Sequence, residues 1–150
     1  MRGFAIGASI VCLAGCAVPV TTPAGADAGA CRTFLNKLPA TLDGQQRREV
    51  TPGNALGAAW GDPAYVLRCG APLPAEYSQS PTCDRIEGVD WFVPESAASD
   101  QTQDAVLITL GRSPSIELTV PAKRRPPVDA LIELAEYIKA NTTQTEQVCR

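Results

Sequence analysis

Apolar residues recur at helical spacing near both ends of the chain. The first repeat occupies residues 30–38 and stops at Pro39. Its apolar members are Cys31, Phe34, Leu35 and Leu38. The second repeat follows Pro126-Pro127, and its members are Val128, Leu131, Ile132, Ala135 and Ile138. Positions three and four apart share one helical face, so the two repeats predict an N-terminal and a C-terminal amphipathic helix.

Short apolar runs separated by turn residues lie between these two helices. Ala55–Trp60 and Ala64–Cys69 flank a Gly-Asp-Pro turn and predict a hairpin or a tight corner. Asp43-Gly44 is a turn signal followed by a short possible strand. Ile86–Val93 is rich in β-branched and aromatic residues and predicts one strand, followed by a polar loop over residues 94–103.

The clearest strand pair is Ala105–Leu110 with Ser115–Val120, joined by residues 111–114. In the second strand apolar residues alternate with Glu117 and Thr119, which is typical of a sheet with one solvated face. The order of elements therefore predicts an α+β domain in which an N-terminal and a C-terminal helix pack on a small antiparallel sheet.

The N-terminus has the pattern of an export signal. Arg2 precedes an apolar run over residues 4–13, and Leu13-Ala14-Gly15-Cys16 looks like a bacterial lipobox, in which the chain is cut before a cysteine that carries lipid. We therefore expect a signal peptide over residues 1–15, a flexible Pro/Gly/Thr-rich tether over 16–30 and a single domain over 31–150.

Two other export routes compete with lipidation at Cys16. Cleavage after Ala24-Gly25-Ala26 or Ala28-Gly29-Ala30 would release a secreted protein. Residues 3–20 contain no charge and are marginally long enough to remain as an uncleaved membrane anchor.

Composition excludes several classes of function. The 150-residue chain has 13 basic and 16 acidic residues, and removal of Arg2 with the signal leaves a net charge near −4. That charge disfavours nucleic-acid binding, which needs clustered cations. The chain contains no histidine, so the usual general base and the commonest metal ligand are missing. The sequence predicts no cofactor, no metal site and no catalytic residues.

Four cysteines remain for the domain after Cys12 leaves with the signal and Cys16 takes lipid. In an oxidising exterior they predict two disulfides, with three possible connectivities. We favour Cys69–Cys83, which closes a loop rich in turn residues, together with Cys31–Cys149, which joins the ends of the domain.

Four residues are candidates for ligand binding. Trp60, beside the turn that carries Asp62, and Trp91 could form an aromatic platform for sugar, lipid or peptide, although tryptophans packed in the core, with Asp62 capping the turn, explain the same pattern. Arg112 could hold a carboxylate or phosphate bidentately, or it could be a solvated turn residue. Lys123-Arg124-Arg125 is interpreted as a solvated loop, with contacts to anionic lipid headgroups as the alternative.

Several blocks together resemble one known family. They are Ala58-Ala59-Trp60-Gly61-Asp62-Pro63, Leu67-Arg68-Cys69-Gly70, Gly88-Val89-Asp90-Trp91-Phe92-Val93, Gly111-Arg112-Ser113-Pro114 and Val120-Pro121. Over about Cys31–Cys149 the chain resembles the actinobacterial exported proteins known as domain of unknown function 3515. The resemblance implies an envelope-associated α+β domain and brings no activity, substrate or catalytic residue.

These observations favour a non-enzymatic envelope lipoprotein that is anchored by lipid on Cys16 and binds a protein partner at the outer face of the cytoplasmic membrane. The alternative is a module that binds cell-wall glycan or lipid through Trp60 or Trp91. An enzyme would need a carboxylate pair, as in glycoside hydrolysis, and the acidic residues show no such arrangement.

Overall fold

The computed structural model describes residues 15–79, 81–146 and 148–149, so nearly all of the expected signal peptide lies outside the described residues. The helices are α1 (Ala28–Leu35), α2 (Ala75–Gln79), α3 (Glu95–Ser99) and α4 (Val128–Asn141), with a 3₁₀ turn at Ala122–Arg124. The strands are β1 (Val18–Pro19), β2 (Thr41–Leu42), β3 (Gln45–Arg48), β4 (Val50–Thr51), β5 (Gly57–Trp60), β6 (Tyr65–Cys69), β7 (Asp84–Ile86), β8 (Val89–Phe92), β9 (Ala105–Leu110), β10 (Arg112–Ser113), β11 (Ile116–Val120) and β12 (Thr143–Gln144).

The main sheet is larger than the sequence predicted. Eight antiparallel strands lie in the order β2-β3-β5-β6-β11-β9-β8-β7. The mixture of helices and an antiparallel sheet is confirmed, but the domain is mostly sheet, and the predicted small sheet flanked by helices is wrong. The sequence underestimated the width of the sheet because some of its strands are polar. β3 reads Gln-Gln-Arg-Arg and has no apolar alternation, so only the preceding turn signal indicated a strand there.

Two tight turns each join a pair of short neighbouring strands. Asp43 and Gly44 both have positive φ, 49° and 68°, and join β2 to β3. Glu87 and Gly88, with φ of 47° and 80°, join β7 to β8 in the same way. Positive φ at both central residues defines the type I′ turn, which matches the twist of a hairpin. The predicted single strand over 86–93 is therefore the end of one strand, a turn and a second strand.

The remaining predicted elements are present with adjusted bounds. The hairpins β5–β6 and β9–β11 pair as expected, and both amphipathic helices form. The loop predicted over 94–103 contains the short helix α3.

The inner face of the sheet packs against α1 and α4. Helix α4 contacts β2 near one edge of the sheet and β7 and β8 at the other, and it also contacts α1. Its buried residues are Ala130, Leu131, Leu134, Ala135 and Ile138, and they join one apolar core with the inner-face residues of the strands. Burial of each large aliphatic side chain contributes about 1.5–3 kcal/mol, so Leu131, Leu134 and Ile138 of α4 together stabilise the domain by several kcal/mol.

The outer face is only partly covered. Near one edge, Phe92, Ile108 and Leu110 form a second buried cluster with Ala71. Tyr77 of α2 and Val148 near the C-terminus pack against that cluster. Near the other edge of the sheet, Val20 packs on the outer face over Gly57 of β5.

Residues 15–22, which we call the N-terminal strap, do not form the flexible tether that the sequence predicted. β1 pairs in parallel with β4, and the amide of Val20 donates to the carbonyl of Thr51 at 3.0 Å. Val20 packs over Gly57, where a Cβ atom would come within 2.6 Å of the valine. The hydroxyl of Thr22 accepts from the amide of Leu56. A Pro/Gly/Thr-rich composition is thus compatible with a strap because backbone pairing, rather than apolar periodicity, holds it.

The disulfides join Cys31 to Cys69 and Cys83 to Cys149, so the favoured pairing is wrong. Cys69 ends β6 with its side chain in the inner core, where it meets Cys31 of α1. Cys83 packs against the outer-face cluster together with the C-terminal segment. Cys69 and Cys83 therefore lie on opposite faces of the sheet despite their short separation along the chain.

Peptide mapping without reduction is expected to recover the pairs Cys31–Cys69 and Cys83–Cys149. Replacing Cys149 by Ser should lower the free energy of unfolding by about 4 kcal/mol, since the bridge closes a loop with a sequence separation of 66. Chemical denaturation measures this loss. Recovery of a Cys69–Cys83 peptide from the native protein would contradict the fold described above.

Candidate functional site

Both tryptophans lie in the inner core and cannot serve as the predicted binding platform. Trp60 and Trp91 are fully buried. The indole of Trp60 donates to the carbonyl of Pro39 at 3.1 Å, and the guanidinium of Arg47 lies 5.0 Å from its ring centre. The side chain of each is enclosed because its strand position faces α1 and α4. The prediction that either one binds a ligand is therefore wrong, and their role in the described structure is packing.

The other two candidate residues lie at opposite ends of the strands. Asp62 is exposed in the β5–β6 turn, and its carbonyl accepts from Arg124 at 3.3 Å. Arg112 is half-buried and donates to the hydroxyl of Thr142 at 3.2 Å, at the C-terminal end of α4. Burial lowers the pKa of Arg112, and attraction to Asp90 opposes that shift. The four candidates thus do not form one site.

The basic run at 123–125 is also largely structural. Arg124 donates to the carbonyls of Pro63 and Asp62. Arg125 donates to the carbonyls of Ala97, Asp100 and Gln103 and so holds the loop around α3. The interpretation of this run as a solvated loop applies only to Lys123, which is exposed.

One cross-strand row on the outer face stands out by its exposure. The registers place Arg48, Ala59, Val66, Thr119 and Val106 side by side on β3, β5, β6, β11 and β9. We call these five residues the outer row. Ala59 is buried, Val66 and Thr119 are half-buried, and Val106 is 44% exposed. The outer row therefore runs from a covered part of the sheet to an apolar residue in contact with solvent.

The adjoining row carries an ion pair. The Nε and Nη2 atoms of Arg68 donate to the two carboxylate oxygens of Glu117 at 2.6 and 2.9 Å. This bidentate hydrogen bond raises the pKa of Arg68 and satisfies a glutamate whose side chain is only 10% exposed. The pair is neutral as a unit, so it leaves the centre of the outer face flat and uncharged.

An acidic groove opens beside Val106. It has a volume of about 460 Å³ and is lined by Glu76, Pro94, Ser96, Ala97, Ser99, Asp100, Gln103, Asp104 and Val106. A second depression of about 210 Å³ adjoins it, sharing Glu76, Pro94 and Ser96 and reaching Phe92. We call these two adjoining depressions the outer-face groove.

The carboxylates of the groove are fixed by local hydrogen bonds. Asp100 accepts from the hydroxyl and the amide of Thr102, and these bonds lower its pKa. Asp104 accepts from the amide of Ala122 at 2.9 Å. Asp100 is thus ionised at neutral pH, and the acidic oxygens serve the loop structure rather than proton transfer. The arrangement suits recognition of a cation better than acid–base catalysis.

The sequence contained a weak signal for this groove. Val106 occupies the solvated-face position of a strand whose neighbours Ala105 and Leu107 face the core. Of the acidic residues, Glu95 and Asp100 lie in the predicted polar loop, and hydrogen bonds from Arg125 hold that loop in place.

A third group of side chains could be mistaken for a metal site. Ligand atoms of Cys83, Asp90 and Cys149 lie within 4.8 Å of one another. The two sulfurs are bonded to each other, however, and Asp90 accepts from Arg85, from the amide of Val148 at 2.8 Å and from the amide of Cys149 at 3.0 Å. These contacts fasten the C-terminal segment to the outer face, and they leave neither a thiolate nor a free carboxylate.

One known family covers nearly the whole chain. The family described as "Protein of unknown function (DUF3515)" matches residues 13–147. The chain belongs to this family. No curated protein and no solved structure matches this DUF3515 chain. The family match begins before the domain boundary that the sequence suggested, and it includes the N-terminal strap. Within the described residues of this DUF3515 protein, no helix has the length and apolar character needed to cross a membrane.

The stability of this DUF3515 domain should depend on the ionisation of Asp90. The hydrogen bonds from Arg85 and from the two backbone amides lower the pKa of Asp90 in the folded state. The stabilisation is therefore complete above the unfolded pKa of about 3.9 and is lost as the pH falls through the lower folded value.

Replacing Asp90 by Asn should lower the free energy of unfolding at pH 7 by about 1–2 kcal/mol, allowing for the exposure of Arg85. Denaturation curves at pH 7 and below pH 3 would show the difference from the native chain shrinking in acid. The matched control is Asp84→Asn, because Asp84 is exposed on the neighbouring strand. Equal losses for both variants would disprove the anchoring role of Asp90.

Proposed function

We propose that this chain is a non-enzymatic lipoprotein of an actinobacterial envelope that binds a protein partner through the outer-face groove. The observation that carries the proposal is the groove itself. The exposed side chain of Val106 lies beside the carboxylates of Glu76, Asp100 and Asp104, and half-buried Thr119 and Val66 continue its row across the neighbouring strands. Apolar area next to fixed charge is the combination by which protein surfaces achieve both affinity and specificity.

The lipid anchor rests on the lipobox and on the packing of the residues that follow it. Cys16 is exposed and is the free cysteine of the described chain, which suits a residue that carries lipid. Cleavage after Ala26 or Ala30 would remove the N-terminal strap, and the latter would also remove the first turn of α1. These losses favour cleavage before Cys16 over secretion. Two acyl chains on one cysteine would give stable attachment to the outer face of the membrane.

A catalytic role and a glycan-binding role have less support. The chain contains no histidine, and the carboxylates of Asp100 and Asp104 accept hydrogen bonds from the amides of Thr102 and Ala122. The proposed glycan platform depended on tryptophans that are buried. We therefore favour protein binding as the single function.

Replacing Cys16 by Ala is expected to move the protein from the membrane fraction to the soluble exported fraction. The physical reason is that each buried methylene of the lipid contributes about 0.8 kcal/mol to anchoring, and the variant carries none. Immunoblots of fractionated cells measure the distribution, and Cys16→Ala protein that remains in the membrane fraction would refute the lipid anchor.

Partner binding can be tested by substituting two similarly exposed valines, one inside the groove and one outside it. Val106 is 44% exposed in the groove, and Val128 is 47% exposed at the start of α4. A photo-crosslinking residue at Ser96, which lines the groove, should give a discrete crosslinked product in cells. Val106→Lys should reduce the yield of that product at least tenfold, equivalent to about 1.4 kcal/mol, by adding a charge to the apolar contact.

The matched variant Val128→Lys should leave the yield unchanged. A crosslinker at Ile132 on α4 serves as the positional control, because this side chain is 42% exposed and does not line the groove. Equal products from positions 96 and 132, or equal effects of the two lysines, would show that the groove does not bind the partner.

A further inference from the structure

The site of lipid attachment is held directly against the sheet. The guanidinium of Arg48 donates to the carbonyl of Cys16 and, at 2.9 Å, to the carbonyl of Gly61. From Val18 onward the strap is paired with the strand that follows β3. Cys16 is therefore attached to a fixed point on the domain, with no free tether between the lipid and the fold.

The outer row connects this point to the groove. Arg48 is its first member and Val106 its last, and the row crosses four strand spacings. At about 4.8 Å per spacing the row is about 19 Å long, and the arginine side chain brings the distance from Cys16 to Val106 to about 25 Å. This distance is an upper limit on the height of Val106 above the lipid surface, whatever the tilt of the domain.

A flexible tether over residues 16–30 would have imposed no such limit. Fifteen extended residues reach about 50 Å, and the domain could rotate freely on them. The strap thus restricts the groove to the layer of space next to the bilayer.

The charge of the groove then selects the kind of segment that it binds there. Glu76, Asp100 and Asp104 line it, with Glu95 in the adjoining depression. Arg125, whose charge acts on Asp100, is bonded to three carbonyls of the loop. The surface offered to a partner therefore combines net negative charge with the apolar side chain of Val106.

We propose that the outer-face groove binds a membrane-proximal segment of an integral membrane protein, a segment that presents lysine or arginine beside an aliphatic side chain. The proposal rests on the function proposed above, and it adds the class of the partner and the reason for it. Basic side chains complement the carboxylates, the aliphatic group contacts Val106, and the short anchor places both next to the bilayer.

The test changes the height of the groove above the membrane without removing the lipid anchor. A Gly/Ser linker of twelve residues is inserted between Cys16 and Ala17, so that the lipid and the strap both remain but the domain moves about 20 Å on a flexible chain. The control is the same linker inserted after Gly53, which lies in an exposed turn where a Cβ atom would meet nothing within 4 Å. Crosslinking is performed from Ser96 in the membrane-anchored protein in cells.

The crosslinked peptide should map to a basic segment within about ten residues of a membrane span, a length that extends to at most about 35 Å. The linker after Cys16 should reduce its yield about tenfold by lowering the effective concentration of the groove at the bilayer, and the linker after Gly53 should change it less than twofold.

Two results would overturn the proposal: a crosslinked peptide from a soluble protein or from a domain far from any span, or an undiminished yield with the linker after Cys16. Both leave partner binding through the groove intact. Failure of the proposed function is recognised separately, by Cys16→Ala protein that stays in the membrane or by crosslinking that is indifferent to Val106→Lys.

Discussion

The packing of α4 across the inner face is the contact on which the rest of the structure depends. The helix contacts β2 at one edge of the sheet and β7 and β8 at the other. One apolar helix face therefore spans the width of the eight-stranded sheet. A sheet of this width has a second face that also needs cover, and among the described residues no long helix lies on that face. The outer face is instead covered in pieces, by the N-terminal strap on one side and by α2 and the C-terminal segment on the other. The outer-face groove lies where these pieces do not meet.

The two faces of the sheet differ in burial and in charge. The inner face holds both tryptophans, and its cohesion is apolar. The outer face carries the ionic contacts of Arg68 with Glu117 and of Arg85 with Asp90, and each buried carboxylate there has a guanidinium partner. Since charged groups are expensive to bury without partners, these pairs allow a face that is only partly covered to remain folded in contact with solvent.

Periodicity predicted the elements that bury a regular face and failed for the others. The α4 repeat and the alternation in β11 came directly from the sequence because each residue type reports the side it faces. β3 is polar on both sides, and β7 has only three residues, of which Ile86 alone is apolar, so neither strand shows an alternation. The disulfide pairing failed for a related reason: separation along the chain carries no information about which face Cys69 and Cys83 occupy. The groove depends on Arg125 drawing a polar loop to the sheet, a tertiary contact without a local pattern.

The disulfides have a consequence for the way the chain matures. If the chain is exported and Cys16 carries lipid, the remaining cysteines emerge in the order 31, 69, 83 and 149, and each bridge joins one cysteine to the next. Oxidation in order of appearance therefore leads to the native pattern, whereas nested bridges would require the first cysteine to wait unpaired until the last had crossed the membrane. The two closed loops do not overlap, so the chain is divided into an N-terminal and a C-terminal half, each covalently complete before the sheet that unites them has formed. After a single cut in residues 70–82, no covalent bond would join the two halves, and they would be held together by the pairing of β6 with β11 and by the packing of α1 and β2 against α4.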